Sequence, residues 1–289
     1  MRIAVASGKG GTGKTTVATS LALALEADGS VEFLDCDVEE PNAHFFLKPE
    51  IEVTEQVYVP VPEVDERRCT VCGLCAEVCE FNAIAAIKDA VLTFPELCHG
   101  CTACWVLCPE DAITPGRREV GVAERGRAGA MRFHHGWLRV GEAMSPPLIR
   151  AVKGGAGEAD IAVFDAPPGT SCPVVETVRD ADAVVLVTEP TPFGLNDLVL
   201  AADMVEALGR PAGVVVNRAG IGDDAVRGFC AERGVPILLE VPFDRRVAEA
   251  YSRGEPLIAA LPEYRERFGE LGAALREMAG ERRGRAVGT

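Results

Sequence analysis

Eight cysteines fall in one stretch of the chain as two copies of CxxCxxCxxxC, Cys69 to Cys79 and Cys98 to Cys108. Thiolates at that spacing suit iron-sulfur chemistry. Three closely spaced cysteines can bind three irons of one 4Fe-4S cubane, while the fourth, further along, is free to reach the other cluster. The spacing therefore predicts cluster 1 on Cys69, Cys72, Cys75 and Cys108 and cluster 2 on Cys98, Cys101, Cys104 and Cys79. Structural zinc is the competing chemistry, but zinc sites usually pair two separated CxxC hooks and leave a third cysteine idle. Pro109 follows Cys108 whereas Glu80 follows Cys79, a difference that bears on the potential or lability of one cluster.

A second chemistry-bearing run, GKGGTGKT from Gly8 to Thr15, fits the phosphate-loop pattern GxxxxGK[ST]. Gly8, Gly10, Gly11 and Gly13, with Thr12 among them, let backbone N–H groups turn inward around phosphates. Lys14 supplies a point charge to the terminal phosphates. The Thr15 hydroxyl can ligate magnesium, and Thr16 continues the helix start, where the dipole favours anions. A plain tight turn is the alternative, against which the flanking strand and helix argue. Lys9 adds a second lysine inside the loop. Asp35, Asp37 and Asp165 follow or end apolar strands, where a solitary Asp would ordinarily cap a turn. Beside a phosphate loop, Asp37 and Asp165 read instead as site residues, and Asp35 stays open between magnesium ligand and turn cap.

These residues need a scaffold. Residues 2 to 6 read as a short apolar strand and Thr15 to Ala27 as a helix with one apolar face. Val31 to Leu34 is a second strand, and apolar runs recur at 161–164, 183–187, 213–216 and 235–239. Helical stretches separate the later ones near 194–208, 222–233 and 245–253. Fully apolar strands alternating with helices predict a doubly wound, mostly parallel α/β sheet covered on both faces. The alternation breaks near Val59, at VPVPEVDERRC, and resumes after Pro115 and Gly116. The expected organisation is thus a nucleotide-binding domain over 1–59 and 116–289, interrupted by an inserted domain over 60–115. Within the insert Cys69, Cys72, Cys75, Cys79, Ala83 and Ile84 repeat at an offset of 29 as Cys98, Cys101, Cys104, Cys108, Ala112 and Ile113, the mark of a duplication. Residues 118–140, with Val120, Val122, Met131, Phe133, Trp137 and Leu138, read as a strand pair returning the chain to the sheet.

The motif set KGGTGKT, DCDVEEPN (Asp35 to Asn42), DAPPG (Asp165 to Gly169), VVNR (Val215 to Arg218) and VPFD before RGEPLI resembles the MinD/ParA class of deviant Walker ATPases, which includes the nitrogenase iron protein and cluster-carrier ATPases. The cysteine insert resembles a bacterial ferredoxin with two 4Fe-4S clusters, and the whole is similar to MinD-superfamily ATPases carrying such an insert. The resemblance implies that Lys9 reaches across a nucleotide-sandwich dimer, Lys14 binds phosphate, Asp37 orients the attacking water, Asp165 holds magnesium, and Asn217, beside Arg218, contacts adenine. Phosphoryl transfer needs this kind of charge compensation from positioned cations.

The chain has 289 residues, 48% hydrophobic and 25% charged, which excludes disordered and collagen-like classes. No apolar run approaches the roughly 18 residues that span a bilayer. A net charge of −15 argues against nucleic acid and anionic lipid as partners. No leader precedes the first strand, so a cytoplasmic protein is expected, and there an odd eleven cysteines point to metal rather than disulfides. The insert carries three bases against nine acids, so a redox or metalloprotein partner should present a basic face.

Other candidates read as packing. Cys172 is expected to be a buried small residue and Cys36 and Cys230 core fillers. Of His134 and His135, at least one is expected in solvent. Tyr264, Phe268, Leu271, Leu275 and Met278 share one helical face, followed by Arg282, Arg283 and Arg285, and that face is expected on the core rather than on a membrane. The expected cofactors are two 4Fe-4S clusters, ATP or ADP, and Mg2+. The expected assembly is an ATP-dependent homodimer or a heterodimer with a paralogue. The leading function is ATP binding and hydrolysis coupled to electron transfer or to maturation of a metallocofactor on a partner. The rivals are a redox-sensing MinD-type positioning ATPase and a ferredoxin-type electron carrier with a non-hydrolytic nucleotide site.

Overall fold

The computed structural model describes residues 1–157 and 159–287, with side chains as far as 280. In chain order the elements are β1 (Arg2–Ala6), α1 (Lys14–Leu25), β2 (Val31–Asp35), α2 (His44–Leu47), β3 (Glu50–Val64), α3 (Leu74–Glu77), β4 (Ile84–Ile87), β5 (Ala90–Thr93) and α4 (Ala103–Val106). There follow β6 (Ile113–Ala128), β7 (Met131–Leu138), α5 (Pro146–Gly154), β8 (Ile161–Asp165), α6 (Cys172–Val178), β9 (Ala183–Thr188) and α7 (Pro192–Ala207). The chain continues through β10 (Ala212–Ala219), α8 (Ala225–Arg233), β11 (Ile237–Pro242), α9 (Arg245–Ser252), α10 (Leu257–Ala260) and α11 (Tyr264–Val287).

The main sheet has nine strands in the order β11-β10-β9-β1-β8-β2-β7-β6-β3. From β11 to β7 every neighbouring pair is parallel. β1, β8 and β9 are almost wholly apolar because both faces are covered, and along β8 and β2 every residue is buried, the Glu32 and Asp35 of β2 included. β6 and β7 are hydrogen-bonded neighbours joined through Gly129 and Ala130, which makes them the strand pair expected for 118–140.

Two compact units make up the chain. The first comprises Met1–Glu55, Ala123–Trp137 and Ile149–Thr289, and the second Gln56–Val122 and Leu138–Leu148. The expected boundaries at 59/60 and 115/116 fall inside the long strands β3 and β6 rather than in loops. The stretch with Pro60 and Pro62 is a strand and not a break. β3 lies at the end of the strand order, where a residue lacking N–H costs the ladder no bond on the open side.

The first unit's core holds Ile3, Val5, Leu21, Phe33, Phe133, Val185 and the α11 residues Phe268, Leu271 and Leu275, all buried, with Tyr264 and Met278 packed against them. The apolar face of α11 thus closes over α1 and the sheet. Arg282, Arg283 and Arg285 lie outside the described side chains. No helix among the described residues is long and apolar enough to cross a membrane.

Two expectations need correction. His134 and His135 are both buried, because β7 sits between β2 and β6 inside the sheet and has no solvated face there. Cys172 is exposed and opens α6, while Cys36 and Cys230 are buried as expected.

The second unit is built around the duplication. Its core pairs Cys75 with Cys104 and Ile84 with Ile113, each pair related by the sequence repeat. The backbone repeats too: left-handed conformations occur at Val71 and Gly100, at Gly73 and Thr102, and at Asn82 and Asp111. Val71, at φ 54°, is a β-branched residue where the other copy has glycine, a conformation of the kind that costs about 1–3 kcal/mol and persists where surrounding structure imposes it.

Candidate functional site

The phosphate loop joins the C-terminal end of β1 to the start of α1, and the aspartates come from the same ends of neighbouring strands. Register places Val5 opposite Asp165, and Asp165 opposite Asp35. In open α/β sheets this is the edge where ligands bind. Gly13 caps α1 at φ 91°, and a Cβ there would lie 2.3 Å from Asn217 Nδ2. Asn217 donates from that atom to the Thr12 carbonyl at 2.7 Å, so β10 holds the loop's shape. A Cβ on Gly8 would lie 2.1 Å from the Asp197 carbonyl oxygen, which fixes glycine at the loop entrance. Lys14, Thr15 and Thr16 are buried at the helix start.

Thr15 Oγ1 donates to Asp165 Oδ2 at 2.6 Å, while Asp165 Oδ1 is buried without a partner. A buried carboxylate oxygen left open beside a hydroxyl suits a divalent cation. Burial raises the Asp165 carboxyl above its ordinary pKa, opposed by the Lys14 charge and the Thr15 hydrogen bond. Asp37 is pushed up to about 6, chiefly by burial and partly by the Asp165 and Glu39 charges, with Lys14 pulling the other way.

Asp35 is engaged differently. Its Oδ1 accepts the Asp37 N–H at 3.1 Å and its Oδ2 accepts those of Asn42 and Ala43, both at 3.0 Å. Of the two roles left open for it, these contacts match the turn cap: Asp35 folds the 36–43 loop back and thereby places Asp37. Complete burial and the neighbouring Asp165 charge hold its carboxyl well above the usual range.

One residue of this site escaped the sequence reading. Glu189, at the end of β9, meets Lys9 Nζ through Oε1 at 2.8 Å and Arg218 Nη1 through Oε2 at 2.8 Å. Arg218 Nη2 also lies 3.4 Å from the Gly11 carbonyl. A single carboxylate therefore clamps two cations over the phosphate loop. Its position directly after an apolar strand was a signal in the sequence.

In the second unit, Cys69, Cys72, Cys75 and Cys108 line one cavity, and Cys79, Cys98, Cys101 and Cys104 line another. Each copy of the motif sends its fourth cysteine to the other's cavity. Backbone N–H groups point at sulfur in matched pairs: Val71 to Cys69 and Gly100 to Cys98 at 3.4 Å, Ala83 to Cys79 and Ala112 to Cys108 at 3.3 Å. Such donors stabilise thiolate and tune cluster potential. Burial pushes the Cys104 thiol up to about 11, with Cys98 and Cys101 adding to it, so Cys104 holds its proton until a cation displaces it. Among the described residues no three or more His, Cys, Asp or Glu converge on a single metal ion. A cubane places each thiolate on a different iron and asks for no such convergence.

The CobQ/CobB/MinD/ParA nucleotide binding domain model matches residues 3–257. The chain belongs to this family. Among relatives of this MinD/ParA-type chain, an uncharacterized protein of Methanocaldococcus jannaschii is 31% identical over 267 residues, covering 89% of the chain and 91% of the relative. A protein of Aquifex aeolicus named iron-sulfur cluster carrier protein is 28% identical over 281 residues, covering 90% of the chain and 62% of the relative. Among solved structures, the septum site-determining protein MinD of Pyrococcus horikoshii, complexed with Mg-ADP, superposes with a TM-score of 0.59 at 20% identity, over 96% of the chain and 97% of that structure. That likeness establishes the MinD-like α/β fold.

Proposed function

We propose that this MinD/ParA-type chain is a cytoplasmic ATPase that holds two 4Fe-4S clusters and couples its nucleotide state to electron transfer, or to metallocofactor maturation, on a partner protein. The observation that carries the reading is the crossed grouping of eight cysteines around two cavities in a chain whose other unit carries a phosphate loop. Cys69, Cys72, Cys75 and Cys108 would hold one cluster and Cys79, Cys98, Cys101 and Cys104 the other. The clusters would supply one-electron chemistry.

At the nucleotide site, Gly8 to Thr16 cradle the phosphates and Lys14 compensates their charge. Thr15 and Asp165 hold magnesium, with Asp35 shaping the loop between them. Asp37 orients water, and its proton affinity sets the pH below which it stops doing so. Asn217 and Arg218 contact the base side of the loop. Lys9, once free of Glu189, is the cation available to a second subunit, either another copy or a paralogue. The acidic second unit suits a basic docking face on the partner.

Anaerobically reconstituted protein should contain about eight irons and eight sulfides per chain, as two cubanes require. Changing Cys75 should remove one cluster and changing Cys101 the other. Lys14→Ala should abolish nucleotide binding, whereas Lys9→Ala should spare binding and suppress hydrolysis. Stoichiometric zinc in place of iron would overturn the cluster reading, and normal hydrolysis by Lys9→Ala would overturn the role given to that lysine.

A further inference from the structure

The two halves of the duplicated unit differ in charge around their cavities. The sequence repeat relates Phe81 to Glu110, and each borders a cavity. Phe81, stacked on His99 with ring centroids 3.7 Å apart, borders the cavity of Cys79, Cys98, Cys101 and Cys104. The carboxylate residue Glu110 borders the cavity of Cys69, Cys72, Cys75 and Cys108. A buried cation adds to the contrast. The Arg118 side chain is 6% exposed, is paired with Glu142, itself 1% exposed, and donates from Nη2 to the Cys98 carbonyl at 3.2 Å. Arg139 brings a second guanidinium 3.9 Å from Glu142 and the Glu96 charge also bears on Arg118, so the contrast rests on Arg118 being the buried charge that touches the Cys98 turn. In the other copy the motif's first cysteine is preceded by Arg68, whose side chain is 52% exposed and reaches the Glu110 carbonyl and Asp111.

We propose that Arg118 is a positioning residue that anchors the Cys98 turn and makes the cluster on Cys79, Cys98, Cys101 and Cys104 the more easily reduced of the two. Reduction adds one negative charge to a cluster. A buried guanidinium stabilises that charge with little screening, whereas water screens both the exposed Arg68 and the exposed Glu110, the latter weakly opposing reduction of its neighbour. With clusters bound, one electron supplied by an external reductant would rest preferentially at the site of Cys79, Cys98, Cys101 and Cys104, with no bond or proton changing place. The inference rests on the cluster reading above and adds a direction to it.

Redox titration of the reconstituted full chain, with dithionite as the one-electron reductant and electron paramagnetic resonance as the readout, tests it. Cys72→Ser and Cys101→Ser, each at an exposed ligand, assign the two signals. The second cluster should be easier to reduce by at least about tenfold, which is about 59 mV for one electron. Arg118→Gln should lower its potential by a similar factor and leave the first cluster unmoved, and Arg118→Lys should restore part of the loss. Glu142→Gln keeps Arg118 and removes its counter-charge, so it should raise the same potential. A purely structural role would move Arg118→Gln and Glu142→Gln in the same direction, and that result overturns the proposal. If Arg118→Gln does not fold, Glu142→Gln and Glu110→Gln decide, the latter raising the first cluster alone. Two clusters blind to these substitutions overturn this proposal only, whereas a chain that takes up no iron and sulfide overturns the cluster reading and this proposal with it.

Discussion

Replacing Glu189 with glutamine should tighten nucleotide binding. Glu189 contacts Lys9 and Arg218, each at 2.8 Å, and its own side chain is only 11% exposed. Bare Coulomb attraction between charges ~4 Å apart is roughly 4 kcal/mol at an effective dielectric of ~20. Lys9 and Arg218 are 30% and 46% exposed, so water screens much of this. The net worth of the clamp falls nearer the ~1.5–3 kcal/mol of a hydrogen bond to a charged group. Phosphates that recruit both cations must first draw them from Glu189, and its carboxylate also repels them. Glu189→Gln removes both obstacles and should raise ATP affinity by about tenfold, equivalent to about 1.4 kcal/mol. Two cations lose a partner at the same time, so the nucleotide-free variant should melt at a lower temperature. Isothermal titration with Mg-ATP at fixed salt reads the first effect and calorimetric unfolding the second. Unchanged or weaker ATP affinity would show that Glu189 helps organise the bound state, and the competition argument would fail.

Asp37, with its carboxyl pushed up to about 6, should make hydrolysis fall away as pH drops below that value, and Asp37→Asn should abolish the limb in a pH–rate profile. Because its folded pKa is raised, Asp37 stabilises the fold fully below about 3.9 and loses that contribution as pH rises through about 6; unfolding midpoints of Asp37→Asn against wild type across that window check the sign. Gly13→Ala should abolish nucleotide binding, since a Cβ would lie 2.3 Å from Asn217 Nδ2 at a positive φ, and should cost about 1–3 kcal/mol in denaturant titrations. Phe268→Ala should destabilise the first unit by about 3–5 kcal/mol, the usual cost of emptying a fully buried phenylalanine site; a change below 1 kcal/mol would mean that α11 does not close the core.

The candidate chemistry of this protein was legible in its sequence wherever it depends on neighbours along the chain. A phosphate loop is a run of backbone N–H groups and one helix start, so GKGGTGKT between a strand and a helix was sufficient to place it. Likewise three cysteines with two residues between each, and a fourth after three more, make a candidate ligand set through local spacing, and the offset of 29 announced its twin. The apolar strands of the sheet were legible for the same reason, because burial on both faces leaves no alternation to misread. Contacts that join distant segments needed the folded chain. Glu189 reaches Lys9 and Arg218 only because β9 lies between β1 and β10, and Arg118 meets Glu142 and Cys98 only once β6 and the loop after β7 are in place. Asp35 illustrates the limit: its carboxylate could serve magnesium or the backbone, and only the folded chain brings three N–H groups of the 36–43 loop onto it. The prolines of β3 and the burial of His134 and His135 belong to the same class. Whether a proline can sit in a strand depends on which edge is open, and whether a histidine is dry depends on what covers the sheet. Neither is a property of residues adjacent in sequence.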